Sequence, residues 1–396
     1  MKIKLFDSKH REALLPFTFT RPIAEIRVGI LKISEKWHHY LQPSSIDFIT
    51  TDYLQPIYPQ SNTNFALYIN GAFLPNFDLA NAVSRLNVGE MLTDKSGEVI
   101  ALKGDAPWET LIHTCAPQTY NHPLRKLTKK SDIFQFNGAE IQQDFILLTK
   151  GRTSMPLPNT CQLLGEPQNL FIEEGAQIEC STLNCKNGVI YIGKNAEIQE
   201  GCNVRGNLAI LEHAQIKMGT RIYGDTTIGP HCRVGGEVSN LVMFGYSNKG
   251  HDGFVGNAVI GEWCNLGAGT NASNLKNNYG SVKQYNYATQ RFEDTQLQFC
   301  GLMMGDHTKC SIGTQFNTAT VVGVASQLFG SQFHSNFIPS FSFGNQERGY
   351  TPIDIEKVIE SEIAMMQRRN KTLSETYCQV LRTIFNIEQH NRKIKN

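Results

Sequence analysis

A chain of 396 residues, 40% hydrophobic and 18% charged, is long enough for more than one hydrophobic core and is not composed like a disordered or collagen-like polymer. Its formal net charge of +1 offers no field for a long polyanion, which argues against nucleic acid as a partner and leaves small phosphorylated ligands held by local charge. The opening residues, MKIKLFD, turn charged too early for a signal peptide, and no run approaches the roughly 18 apolar residues of a membrane span; a cytoplasmic location without membrane contact is expected.

In chain order, short apolar runs at Ile3 to Phe6, Phe48 to Thr50 and Ala66 to Ile69 predict strands, and the pattern from Ile26 to Leu41 predicts a helix. Residues 1–150 therefore read as an α/β domain. The basic set Lys9, Arg11, Arg21, Arg27, Lys32 and Lys36 falls where nucleotide-binding folds often gather charge, although solvated helix faces explain such a set equally well.

From the middle of the chain, aliphatic residues recur at every sixth position: Ile192, Ile198, Val204, Ile210, Ile216, Ile222, Ile228 and Val234. Neither a helix nor a half-buried strand has that period; a parallel β-helix built from hexapeptides does. The phase starts near Ile172 and Ile178, slips after Val234, and resumes at Phe254, Ile260 and Leu266. Ser273 to Gln298, polar and rich in Asn and Tyr, predicts a loop extruded from one coil before the repeat returns around Cys300 to Val324. Residues 151–345 are assigned to this solenoid. The ten cysteines lack a CxxC pair and read as free buried thiols, and the His307/Cys310 spacing, without a second pair, reads as structural. Residues 346–396 are helical in pattern, with Ile355, Val358, Ile359, Ile363 and Met366 on one face, and are expected to cap the solenoid.

The segment KGHDGFVGNAVIGEWCNLGAGTNASN, Lys249 to Asn274, resembles the acetyltransferase signature of the bifunctional N-acetylglucosamine-1-phosphate uridyltransferase/glucosamine-1-phosphate acetyltransferase family. The match runs through His251, Gly256, Ala258, Ile260, Gly261, Asn265, Gly267, Ala268, Gly269, Thr270 and Asn274. The stretch RxxLLPFTFTRPIAEIRVGILKISEKW resembles the shortened nucleotidyltransferase domain joined to such β-helices in one branch of that family. The resemblance implies an α/β nucleotidyltransferase-like domain, a left-handed parallel β-helix and a homotrimer. It implies acetyl-CoA, a sugar-1-phosphate and a nucleoside triphosphate as ligands, Mg2+ for nucleotidyl transfer, and a place in UDP-N-acetylglucosamine synthesis.

On that basis His251 is the expected general base, the side-chain type that takes up a proton near neutrality. Arg233, Lys249, Asn265, Ala268 and Asn274 are the expected substrate and acetyl-CoA contacts, and backbone amides of Gly267 to Gly269 the expected oxyanion donors. Arg11, Arg21 and Lys36 are the expected nucleotide contacts. Two alternatives stay open. The usual glycine-rich nucleotide loop is absent, the family's Gly-Asp-x-Pro is replaced by Ile69, Asn70, Gly71, Ala72, and Phe254 stands where a Tyr is usual, so no metal ligand is assigned. A nucleotidyltransferase alone (glucose-1-phosphate thymidylyltransferase or uridyltransferase) with a structural β-helix is one alternative, and a non-catalytic trimeric scaffold is the other.

Overall fold

The computed structural model describes residues 2–61 and 65–395. The chain separates into two compact units: one comprises the residues up to Leu14, Thr20–Arg27 and Leu31–Lys129, and the other Leu15–Phe19, Val28–Ile30 and everything from Lys130 onward.

The first unit is built on a mixed sheet in the order Ser45–Ile49, Lys2–Phe6, Ala66–Asn70, Val99–Gly104, Glu90–Thr93, Ala116–Thr119. Its first three strands are parallel, and Val99–Gly104 runs antiparallel to both of its neighbours. Helices α1 (Ile33–Leu41), α2 (Phe77–Ser84) and α3 (Trp108–Thr114) accompany the sheet. The predicted helix from Ile26 begins seven residues late, at Ile33. Ile26, Val28 and Ile30 are all buried at a spacing of two, which is the period of extended chain, and Gly29 has φ +86°. The helix starts where a cap becomes available: the Lys32 N–H donates to the Glu35 carboxylate at 2.7 Å.

The second unit carries the solenoid, a parallel β-helix of the hexapeptide-repeat type. Its interior is three columns of inward residues. The first-face column runs Ile192, Ile210, Ile228, Met243, Ile260, Met304, Val322, Ile338. The second-face column runs Ile198, Ile216, Val234, Lys249, then Leu266, Cys310, Leu328. The third-face column runs Val204, Ile222, Val238, Val255, Ala272, Phe316. These side chains form one continuous core apart from Lys249. The expected slip after Val234 is present, because the next inward residues, Val238 and Met243, follow at shorter intervals. One detail is corrected: the repeat resumes on Val255, fully buried, whereas Phe254 points outward and is partly exposed.

Outward residues of the first face are apolar or small as well: Phe171, Tyr191, Ala209, Thr227, Val242, Val259. Helix α4 (Ser131–Thr149) explains them, since its Ile141 and Phe145 share a core with Phe171, Tyr191, Ala209 and Leu211. Burying a large side chain such as Phe171 or Val242 there contributes about 1.5 to 3 kcal/mol. Gly138 permits the close approach, because a Cβ there would lie 2.1 Å from an Asp225 carboxylate oxygen.

The predicted extruded loop is a hairpin, Lys283–Asn286 against Arg291–Asp294. At the end of the second face, Gly349–Pro352 turns back antiparallel on Ser342–Asn345 and covers the sheet edge. Helices α5 (Ile355–Gln367) and α6 (Glu375–Lys395) pack beside the last coils. His307 Nδ1 donates to the Glu362 carboxylate at 2.8 Å, and its Nε2 accepts from the Tyr377 hydroxyl at 3.0 Å. Lys309 also pairs with Glu362, and Phe385 meets Phe341 edge-on at 5.3 Å. His307 is thus a docking residue with both ring nitrogens occupied, while Cys310 lies in the interior column, where burial pushes its thiol pKa up.

Candidate functional site

Turns between the second and third faces stack coil upon coil, and two of them bring predicted residues together. His251 sits on the turn following Lys249, exposed, with no hydrogen-bond partner for its ring among the described residues. The next coil places Gly267 to Gly269 directly against that turn, the Gly269 N–H donating to the Asp252 carbonyl at 3.1 Å. Contact is this close because Gly253 lacks a side chain: a Cβ there, at φ +121°, would stand 2.1 Å from the Thr270 carbonyl oxygen.

The same stacking corrects the expected set of oxyanion donors. Gly267 N–H donates to the Cys310 carbonyl, Gly269 N–H to Asp252 and Thr270 N–H to Gly267, at 3.1, 3.1 and 3.2 Å. Only the Ala268 N–H has no acceptor among the described residues.

Lys249 occupies an interior position of the prism, between Val234 and Leu266 in the second-face column, and is 2% exposed. Its ammonium donates to the carbonyls of Gly235 at 2.8 Å and His251 at 2.7 Å. Burial pushes its pKa down to about 8, with Asp252 offsetting part of the shift. Lys249 therefore reaches the His251 turn from inside and fixes its backbone, rather than facing solvent.

Asn265 and Arg233 project from the second face and line one cavity of about 300 Å³ together with Asn248. Asn248 Nδ2 donates to Asn265 Oδ1 at 2.9 Å. Asn274 lies apart from both groups, beyond the third face, where its Nδ2 donates to Asn257 Oδ1 at 2.8 Å. The predicted residues of the second unit thus fall in three places: the His251/Ala268 turns with Lys249 behind them, the Arg233/Asn265 cavity, and Asn274. Sequence reasoning missed the rest of the cavity: Tyr246 and Trp263 from the corner of the first and second faces, and Arg368 and Arg369 after α5. A trace of the corner was visible, because His213, His231, Tyr246 and Trp263 recur once per coil. All four have positive φ and stack ring on ring at 4.9, 4.7 and 4.3 Å.

In the first unit, Arg11 Nη1 donates to Asp7 at 2.7 Å and to the Arg21 carbonyl at 3.2 Å. Arg21 is 4% exposed and Lys36 is fully buried. Lys32 pairs with Glu25 at 2.8 Å and Arg27 with Glu35 at 3.7 Å, so much of the basic set is matched by local carboxylates. Asn70, which stands where the resembling Gly-Asp-x-Pro motif has its Asp, donates to Glu98 and to the Val99 carbonyl and accepts from Ala72 N–H. Lys126 bridges Asp94 and Glu98 at 2.7 Å each. Burial raises the Asp94 pKa, but the Lys126 and Ser96 hydrogen bonds outweigh it and bring the carboxyl to about 2. Among the described residues no group of three or more His, Cys, Asp or Glu is arranged to hold a metal ion. The neutral, hydrogen-bonded Asn70 does not fit a Mg2+ ligand.

Fold and site together define an α/β unit followed by a hexapeptide-repeat β-helix with an exposed histidine on a glycine-rich turn. Residues 3–153 match the model of the sugar nucleotidyl transferase family. The chain is similar to the bifunctional protein GlmU of Trichodesmium erythraeum (strain IMS101), 31% identical over 97 residues, covering 24% of this chain and 19% of that protein. It is also similar to the bifunctional protein GlmU of Geotalea uraniireducens (strain Rf4), 29% identical over 161 residues, 35% of this chain and 34% of that one. The matched part thus spans about a fifth to a third of the length of these relatives. Among solved structures, the UDP-N-acetylglucosamine acyltransferase from Campylobacter jejuni aligns over 57% of this chain and 95% of its own at 15% identity and TM-score 0.24. The enzyme from Bacteroides fragilis 9343 aligns over 60% and 84% at 16% identity and TM-score 0.22. No helix among the described residues is long and apolar enough to cross a membrane.

Proposed function

We infer that the protein is a sugar-1-phosphate nucleotidyltransferase whose β-helix carries an acetyl-CoA-dependent N-acetyltransferase site for an amino-sugar phosphate, acting in UDP-N-acetylglucosamine synthesis. The observation that carries the acetyl-transfer half is the His251 corner. An unbonded, exposed imidazole stands on a turn pinned from inside by Lys249, with the unspent Ala268 N–H one coil away. In the reaction the amine lone pair attacks the thioester carbonyl, forming the C–N bond. His251 takes the amine proton, the Ala268 N–H meets the oxyanion, and collapse breaks the C–S bond to release the thiol, which regains the proton. Lys249 is a positioning residue in this scheme, Asn265 and Arg233 bind polar groups of a ligand in their own cavity, and Asn274 contacts the donor from its own corner. The cytoplasmic location and the homotrimer belong to this reading, a trimer being one way to bring separate corners of neighbouring copies together.

For nucleotidyl transfer, Arg11 and Arg21 are the proposed contacts for an attack of the sugar phosphate on the α-phosphorus of a nucleoside triphosphate, with release of pyrophosphate; Lys36, expected as a third contact, is fully buried and does not face a ligand. Mg2+ commonly supplies charge neutralisation in such chemistry, but Asn70 does not provide its carboxylate and no step here is assigned to the metal. The test is a paired assay on the full chain: thiol release from acetyl-CoA with glucosamine-1-phosphate, and pyrophosphate release from a panel of nucleoside triphosphates with sugar-1-phosphates, each with and without Mg2+. Thiol release without pyrophosphate release would retain only the β-helix half, and the converse only the first unit's.

A further inference from the structure

The cavity between the second face and the end of α5 is lined by cations. Three guanidinium groups line it, from Arg233, Arg368 and Arg369, and none of its lining residues is acidic. Among the described residues no carboxylate pairs with any of the three. Arg233 Nε is buried with no hydrogen-bond partner, and Arg369 has only the His231 carbonyl, at 3.5 Å. Burial, and then the neighbouring Arg233 charge, pull the Arg369 pKa down, the sign of a guanidinium that has lost water without gaining a counter-charge. Lys371 adds a fourth cation nearby, 5.9 Å from the Tyr246 ring centre.

Like charges facing one space repel one another unless an anion joins them, and planar guanidinium forks match phosphoryl oxygens two at a time. The amide pair completes the recognition surface. With Asn248 Nδ2 committed to Asn265 Oδ1, the Asn265 NH2 and the Asn248 carbonyl oxygen remain as donor and acceptor. A volume of about 300 Å³ lies at the small end of ligand sites, which run from about 300 to 1,000 Å³, so it suits a compact polyvalent group rather than a whole coenzyme. Three positive charges and no negative one correspond best to a diphosphate.

The geometry points to a diphosphate-binding site formed by Arg233, Arg368, Arg369, Asn248 and Asn265, separate from the His251 corner. Two residues, Lys249 and Gly250, separate Asn248 from His251, a span of at most about 10 Å. The diphosphate is either free pyrophosphate or the diphosphate of a nucleotide, and the two differ only in what extends out of the cavity mouth.

Trp263, 7% exposed and part of the lining, is a local reporter. Its emission in the full chain is titrated with pyrophosphate, UDP and coenzyme A, with orthophosphate and sulfate at matched ionic strength as charge controls, and Trp263→Phe establishes which signal is local. Saturable quenching by the diphosphate ligands is expected, weakened about tenfold or more in Arg233→Gln and Arg369→Gln, the worth of one charge-assisted hydrogen bond. Arg233→Lys should recover part of the loss and His251→Ala should leave binding unchanged. Tighter binding of UDP or coenzyme A than of pyrophosphate would identify a nucleotide as carrier, and equal binding would identify free pyrophosphate. The exposed Arg368→Gln provides a third variant if either of the others folds poorly. No saturable signal in the wild type, quenching by sulfate at equal strength, or unchanged binding in the folded arginine variants would overturn the proposal.

Discussion

Lys249→Met tests the interior lysine most sharply. The methionine side chain fits the column between Val234 and Leu266 and removes the ammonium that bonds Gly235 and His251. A folded-state pKa of about 8 against an ordinary lysine value of 10.5 means that between those limits the unfolded chain binds more protons than the folded one. Stability therefore rises with pH through this window, and below pH 8 the full penalty of the buried charge is present. Integrated from pH 7 to pH 9.5, the wild type gains about 2 kcal/mol from this group. The methionine variant lacks that gain. Urea unfolding of both proteins at several pH values gives the difference directly: relative to the wild type, Lys249→Met should lose about 2 kcal/mol over the interval, whatever its offset at pH 7. A difference that stays flat would mean that the ammonium is solvated and that Lys249 is not inside the prism. With the His251 carbonyl unpinned, the variant should also lose turnover in the thiol-release assay.

Glu362→Ala leaves His307 and Lys309 facing a void, and breaking such a buried network should cost about 3 to 5 kcal/mol, with faster hydrogen exchange in α5 and α6. Burial raises the Glu362 pKa, but His307 and Lys309 outweigh it and hold the carboxyl below its usual range. The wild type should therefore keep this contribution above the ordinary glutamate pKa and lose it as pH falls through the folded value, a step missing from the variant's acid unfolding profile. Gly253→Ala forces a methyl onto the Thr270 carbonyl and should lower stability by about 2 kcal/mol or more, while the same change at Gly97, where nothing lies within 4 Å but φ is +83°, should show the backbone strain alone. Arg11→Ala should reduce pyrophosphate release without affecting thiol release; unchanged pyrophosphate release would leave Arg11 as the partner of Asp7 and nothing more.

The solenoid was legible because a period of six has no competitor, and the His251/Ala268 juxtaposition because 17 residues make one coil at that point. Three features escaped the period. Ile26, Val28 and Ile30 are apolar enough to pass for a helix face, and only their spacing of two marks extended chain. Lys249 reads as a ligand contact because lysines normally face water; the shortened coils after Val234, which turn it inward, show only in the register. The cover provided by α4 left a signal that was not used: triplets such as Leu208 to Ile210 are apolar on both sides, which a half-exposed strand would not be. The arginine cavity was illegible for a different reason, since it joins the second face to residues more than a hundred positions away through packing alone.

The measurement that bears most directly on the proposed function is steady-state thiol release from acetyl-CoA and glucosamine-1-phosphate by the wild type and His251→Ala. The residue is exposed and its ring unbonded, so the variant should unfold like the wild type. Loss of the base should lower kcat by about 10² to 10⁴. A folded His251→Ala protein that releases thiol at the wild-type rate would contradict the assignment of this corner as the acetyl-transfer site.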